Sequence, residues 1–278
     1  MELNDIYFDT GELRLHAYEG PRNGPPMVLL HGATGNAMEW GSVLPHLTQS
    51  WHVYAVHLRG HGKSGRPADI SGYHMRNNAA DTAAFLRGQV REPAVVIGHS
   101  YGAVTAALTA KEAGDMIRAL VLEDPPMLLR RKTEDDTGFK GYFEWLAEMR
   151  AAAGSLEEVT AQLAANDPNM TPERLRQYAE SVFMLDANFP RALTVGDRRE
   201  TVKDIDFAAH IRAIQCPTLL MQADEHRGAA LVQADIDFFL EHAPHTRLVT
   251  FPGSGHGIHT EQPEAFLKAL DAFLADVL

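Results

Sequence analysis

Cysteine is almost missing from this chain: Cys216 stands alone among 278 residues, so no internal disulfide can form, and the usage fits a reducing cytoplasm. Long apolar runs are missing too. No segment approaches the roughly 20 apolar residues of a membrane span, and Met1-Glu2-Leu3-Asn4-Asp5 has neither the basic region nor the apolar stretch of a secretory signal. A cytoplasmic protein without a membrane partner is expected. Positive charge is in deficit, 25 Lys and Arg against 37 Asp and Glu for a net −12, which argues against nucleic acid as a partner. Metal patterns are lacking despite 14 histidines. His57 with His61 and His242 with His245 have no third ligand at a known spacing, so they read as surface or turn residues and no metal is expected. Gly60 and Gly62 lack the third glycine and downstream acid of a dinucleotide fingerprint, so no cofactor is expected either. No internal repeat or low-complexity tract is present.

What is there is a chain 45% hydrophobic, enough for one sizeable core. Apolar extended runs alternate with helical patterns, which predicts a mostly parallel sheet with helices on both faces. Ile6 to Phe8 and Leu13 to Tyr18 flank Thr10-Gly11 as an opening hairpin. Strands follow before Gly32, His57, Gly98 and Glu123, with a helix from about Met75 to Val90. Between about Met127 and Asp204 the strand rhythm stops. Helical patterns cover Phe139 to Arg150, Leu156 to Ala165 and Pro172 to Leu185, with Thr171-Pro172 as a start signal. The run from Arg130 to Asp136 reads as a solvated loop leading into them.

Gly98-His99-Ser100-Tyr101-Gly102 follows the strand Ala94-Val95-Val96-Ile97 and opens an Ala-rich helix. A serine hydroxyl is a weak nucleophile unless a tight turn lifts it clear and a base takes its proton, and the flanking glycines leave room for such a turn. Ser100 is the candidate nucleophile. Ala103, Ala106, Ala107 and Ala110 let the helix lie close to the sheet. Met27-Val28-Leu29-Leu30 runs into His31-Gly32-Ala33-Thr34-Gly35, a loop suited to aiming a backbone N–H at a developing oxyanion; Ala33 and Tyr101 are the candidate donors. Near the end of the chain, Arg247 to Phe251 leads into Pro252-Gly253-Ser254-Gly255-His256. Histidine suits the base because its ordinary pKa, near 6.5, lets it take and return a proton at neutral pH. His256 is the candidate base, with His259 second.

These elements together resemble the α/β-hydrolase fold superfamily, in its esterase, lactonase and dehalogenase-like branch, over nearly the whole length. His31-Gly32 resembles the oxyanion loop, Arg59-Gly60-His61-Gly62-Lys63-Ser64 the Arg-Gly-x-Gly-x-Ser turn, and Gly98 to Gly102 the nucleophile elbow. Gly255-His256 with Glu261-Gln262-Pro263-Glu264-Ala265-Phe266 resembles the histidine loop and last helix. One departure is His57, where many relatives carry Asp. The resemblance implies a hydrolase core of residues 1–126 and 205–278, with a helical cap of residues 127–204 inserted after the strand ending at Leu122. Most cap aromatics should be cap core and a few should line an apolar pocket. Trp145 and Phe183 are candidates, with Met127 and Tyr101 nearer the nucleophile in sequence.

The third catalytic group is open between two loops. In the commonest family pattern the acid follows the strand after the cap, yet here Thr218 to Gln222 runs into Ala223-Asp224-Glu225-His226 and the slot holds His226. Haloalkane dehalogenases and a zearalenone-lactonase-like group carry the acid one core strand earlier, where Ala119 to Leu122 leads into Glu123-Asp124-Pro125-Pro126. Asp124 is the first choice, Asp224 the second, then Glu225 or Glu123. The acid would orient His256 and stabilise its imidazolium. The expected function is hydrolysis of a small apolar or aromatic carboxylic ester or lactone through an acyl-enzyme at Ser100. Alternatives are a carbon–carbon bond hydrolase or cofactor-free perhydrolase with the same triad, or a non-catalytic small-molecule receptor on this fold. Serine in place of a carboxylate argues against dehalogenase and epoxide-hydrolase chemistry. Oligomeric state is not readable.

Overall fold

The computed structural model describes residues 2–126, 137–194, 201–202 and 204–278. Its centre is an eight-stranded sheet in the order β1-β2-β4-β3-β5-β6-β7-β8. The strands are β1 (Asn4–Asp9), β2 (Arg14–Glu19), β3 (Pro26–Leu30), β4 (His52–His57), β5 (Ala94–His99), β6 (Ile117–Glu123), β7 (Thr218–Ala223) and β8 (Thr246–Phe251). The opening hairpin pairs antiparallel and β2 runs antiparallel to β4; every later pairing is parallel. Parallel strands need crossover connections, and these carry α1 (Leu44–Leu47), α2 (Met75–Phe85), α3 (Tyr101–Ala113), α8 (Phe207–Arg212) and α9 (Gln233–His242). The helices α10 (Ile258–Glu261) and α11 (Pro263–Val277) close the chain.

The uniformly apolar central strands make sense because both faces are covered. Val28, Leu30, Val96, Leu120 and Leu122 face a cluster that includes Ala79 and Phe85 of α2 and Ala103 and Ala107 of α3. Their neighbours Met27, Leu29, Val95, Ile97 and Val121 join Trp40, Leu44 and the Phe266, Leu270 and Leu274 stripe of α11. The alanines of α3 are at most 5% exposed, so their small size sets how near the helix sits to the sheet.

Between β6 and β7 lie α4 (Thr137–Ala152), α5 (Leu156–Asn166), α6 (Pro172–Phe183) and α7 (Asn188–Ala192). Each helical pattern in that stretch forms a helix within two residues of its expected bounds. Ser155 caps α5 at the Glu158 N–H, and Thr171 caps α6 at the Arg174 N–H with Pro172 in the first turn. Met127 and the charged run through Asp136 lie outside the described residues. Among those described, no helix is long and apolar enough to cross a membrane.

The turn after β4 requires a correction. His57 and His61 are not surface residues; each is 1% exposed. His57 stacks on His16 of β2, Nδ1 to Nδ1 at 2.7 Å, and His16 Nε2 reaches Asp5 at 2.8 Å. Burial and the neighbouring His31 pull the His57 pKa down to about 2, so the ring is a neutral packing element. Gly62 is required beside it, because a Cβ there would lie 2.3 Å from the His57 ring at φ +53°.

Candidate active site

Beyond the carboxyl ends of β5, β6 and β8 the candidate residues converge, as expected for such a sheet. Ser100 adopts φ 51° and ψ −115°, a conformation that a non-glycine residue rarely takes. The cost is about 1–3 kcal/mol, and neighbours hold it in place: the Ser100 N–H donates to Glu123 O at 2.9 Å, and Ala103 and Val104 donate back to Ser100 O. The glycines are sterically necessary. A Cβ on Gly98 would lie 2.4 Å from Gly102 O, and one on Gly102 would lie 2.2 Å from Leu30 O and 2.6 Å from His31 O. Gly102→Ala is therefore expected to push α3 away from β3 and lower unfolding free energy by about 1–3 kcal/mol, read as an earlier urea midpoint together with lost activity.

His256 Nδ1 lies 2.6 Å from Asp124 Oδ2. The histidine ring is 37% exposed and the carboxylate fully buried. Asp124, itself at φ 43°, also accepts N–H groups from Ala223, Ala230 and Leu231 at 2.7–3.3 Å. The charge is thus stabilised by backbone dipoles, and one oxygen is aimed at the imidazole. The other acids are engaged elsewhere. Asp224 accepts from the N–H groups of His226 and Gly253 and caps the turn Glu225–Arg227, Gln222 donates to Glu225, and Glu123 binds His259 Nδ1 at 2.7 Å and its N–H at 2.9 Å. His259, fully buried under the Trp40 ring, sits away from solvent while His256 is open to it.

Ala33 sits in the loop after β3, its carbonyl 2.8 Å from His61 Nε2. Tyr101 is the first residue of α3, so its N–H has no helical carbonyl behind it and points out of the positive end of the helix dipole. Sequence reasoning passed over the residues that tie this loop to the histidine loop. Glu39 accepts the Gly32 N–H at 3.2 Å and meets His99 Nδ1 at 2.6 Å, while His99 Nε2 lies 3.1 Å from His256 O. Burial disfavours charge on His99, but Glu39 and Glu123 outweigh it and lift its pKa to about 9. Burial likewise opposes charge on Glu39, yet His99 beside it brings its pKa down to about 2. Glu39, His99 and His259 present ligand-type atoms within 4.8 Å of one another, but the 2.6 Å contact is hydrogen-bond spacing.

The pair sets a pH dependence of stability. His99, raised from 6.5 to about 9, contributes fully below about pH 6.5, and its share is lost as pH rises through about 9. Glu39, lowered from 4.5 to about 2, contributes above about pH 4.5, and its share is lost on acidification toward 2. The urea midpoint should fall between pH 6.5 and 9.5, and fall less in His99→Gln.

A profile of the Alpha/beta hydrolase family matches residues 27–269. The chain belongs to that family. Among its relatives, 2-(acetamidomethylene)succinate hydrolase of Mesorhizobium japonicum is 27% identical over 96% of this chain and 93% of its own. Pimeloyl-[acyl-carrier protein] methyl ester esterase of Nitrosomonas europaea is 28% identical over 90% of this chain and 96% of its own. A crystal structure of E-2-(acetamidomethylene)succinate hydrolase superposes with TM-score 0.77 at 25% identity, covering 99% of this chain and all of the other. The mostly parallel sheet and the hydrolase assignment accordingly stand.

Within this hydrolase, the residues expected to line a pocket separate. Tyr101 is 5% exposed, its hydroxyl accepting from Asn78 at 2.9 Å and its ring edge-on to Phe189, so the ring belongs to the packing between α2 and α7. Trp145 is half-buried beside Tyr142, and Phe183 is half-buried under the Arg150 guanidinium, 5.1 Å from its ring centre. The inserted helices are fastened to the loop after β3 by Asn36 Nδ2 donating to Ser181 Oγ at 2.8 Å.

Proposed function

We propose that this alpha/beta hydrolase cleaves a small apolar or aromatic carboxylic ester or lactone through an acyl-enzyme on Ser100. The observation that carries this reading is the buried Asp124 carboxylate, 2.6 Å from His256 Nδ1, in a fold whose serine occupies a strained strand-to-helix turn. With Nδ1–H bound to Asp124, His256 keeps Nε2 free to accept the Ser100 proton as the hydroxyl oxygen attacks the carbonyl carbon. The Ala33 and Tyr101 N–H groups receive the oxyanion, a contribution of about 2.7–4 kcal/mol for each such donor. The imidazolium returns the proton to the leaving alkoxide, and a water activated by the same ring hydrolyses the acyl-enzyme. Four inserted helices, residues 137–192 in the chain, supply the cap over this centre, with Trp145 and Phe183 as its apolar contacts to substrate.

A second reading, hydrolysis of an N-acyl amide, is favoured by the likeness to 2-(acetamidomethylene)succinate hydrolase, whose name contains an acetamido group. A panel of p-nitrophenyl acyl esters, lactones and N-acetyl enamides separates the two by kcat/KM. Ester or lactone preference supports the main reading, and amide preference the second. Labelling of Ser100 by a fluorophosphonate, located by peptide mass, tests the nucleophile shared by both. Absence of labelling together with tight binding of an ester without turnover would favour a receptor.

A further inference from the structure

We propose that His99 is a positioning residue held as an imidazolium, its two ring N–H groups joining Glu39 under the oxyanion loop to the backbone carbonyl of His256. This rests on the reading of Ser100 and His256 as the reacting pair. Each ring nitrogen of His99 faces an acceptor. Nδ1 faces a carboxylate oxygen at 2.6 Å and Nε2 faces a carbonyl oxygen at 3.1 Å; neither partner carries a hydrogen, and a neutral imidazole has one N–H to give. A neutral His99 would press a lone pair against an oxygen in a site where the residue is 8% exposed. Two protons satisfy both contacts, and the first becomes a charge-assisted bond.

The surroundings supply the balancing charge. Glu39 faces the ring from the turn at Ala37–Ser42, and Glu123 acts on it from β6. His259 approaches from α10 with ring centres 5.2 Å apart, and His256 from its loop at 4.8 Å; His31, next after β3, is a further titratable neighbour. His61 provides the contrast. Its nitrogens also face two carbonyls, at 2.8 and 2.9 Å, but among the described residues no carboxylate bonds it, and burial lowers its pKa. What distinguishes His99 is the bonded carboxylate.

The bridge touches each part that must stay in register. His99 directly precedes Ser100, Glu39 accepts the N–H of Gly32 next to Ala33, and the far end holds the main chain of His256. Loss of one proton releases one end. Either the oxyanion loop or the histidine loop then loses its tether, and misplacement on the scale of 1 Å costs about a hundredfold in rate.

The ring nitrogens report the state directly. In protein labelled with 15N-histidine, with His99 assigned by its absence from the His99→Gln spectrum, both His99 nitrogens should carry protons at pH 7.5 and keep them until about pH 9. A neutral His99 ring at pH 7.5 overturns the proposal, as does stoichiometric zinc shared by Glu39, His99 and His259. Kinetically, His99→Gln should lower kcat about 10–100-fold with little change in KM, and should abolish a fall in kcat near pH 9 shown by the native enzyme. Unchanged kcat, or an alkaline fall that persists in the variant, refutes the positioning role. If His99→Gln does not fold, Glu39→Gln serves for kinetics, with His99 assigned in both proteins by through-bond correlation to its backbone: its His99 signal should titrate at lower pH than in the native protein, and an unshifted titration counts against the bridge. The spectra need no turnover, so failure of the ester or lactone reading, seen as an unlabelled Ser100, is distinguishable from failure of the bridge.

Discussion

Ser100→Ala is expected to lower turnover by on the order of a millionfold while substrate affinity changes little, because the substitution removes the attacking atom and leaves the oxyanion donors and the binding surface. The measurement is single-turnover kinetics beside equilibrium binding of the same substrate. A variant retaining a tenth of native turnover would remove Ser100 from the reaction. A second consequence follows from the backbone. The strain at φ 51° is shared by serine and alanine but not by glycine, so Ser100→Gly should be equally inactive and more stable than Ser100→Ala by about 1–3 kcal/mol. Higher stability in an inactive variant would mean that the elbow holds strain for a functional geometry.

What was legible in the sequence was what is local. The elbow, the glycine-rich loop after β3 and the histidine loop each lie within a few consecutive residues at a strand end, so pattern and position coincide. The helix start at Thr171-Pro172 was legible for the same reason. The bonds that organise the site are not local: Asp124 and His256 are 132 residues apart, Glu39 and His99 60, and Glu123 and His259 136. No spacing rule connects them, and the parallel order of β3, β5, β6, β7 and β8 brings their loops together. His57 and His61 were misread because histidines in a glycine-rich turn usually meet solvent. Here β2 lies across the turn, and His16 and Ser64 fasten it, the Ser64 hydroxyl donating to His57 O at 2.6 Å while accepting the His16 N–H. Tyr101 was placed near the nucleophile by adjacency, but a helix turns successive side chains through about 100°, and its ring goes to Asn78 and Phe189.

Asp124→Asn should lower turnover by about a thousandfold to ten-thousandfold, and the geometry specifies why. The native carboxylate accepts from four donors, His256 Nδ1 and the N–H groups of Ala223, Ala230 and Leu231. An asparagine has one oxygen and one NH2 group for these positions. If the oxygen stays on the backbone, the amide meets Nδ1 as a donor, and His256 must take the tautomer whose Nε2 already carries a proton and cannot accept another from Ser100. In that orientation the NH2 group also opposes the Ala230 N–H, which shares Oδ2 with His256; if the amide turns the other way, it opposes the Ala223 and Leu231 N–H groups instead. The variant should therefore lose some stability as well, and the kinetic comparison belongs at a temperature where both proteins are fully folded. Asp224→Asn is the control. Asp224 holds N–H groups at Gly253 and His226, so its substitution should slacken that turn and change turnover by no more than a few-fold, the scale of a lost surface hydrogen bond. The reverse ranking would transfer the acid to the strand after the inserted helices and require His256 to rotate away from the 2.6 Å contact.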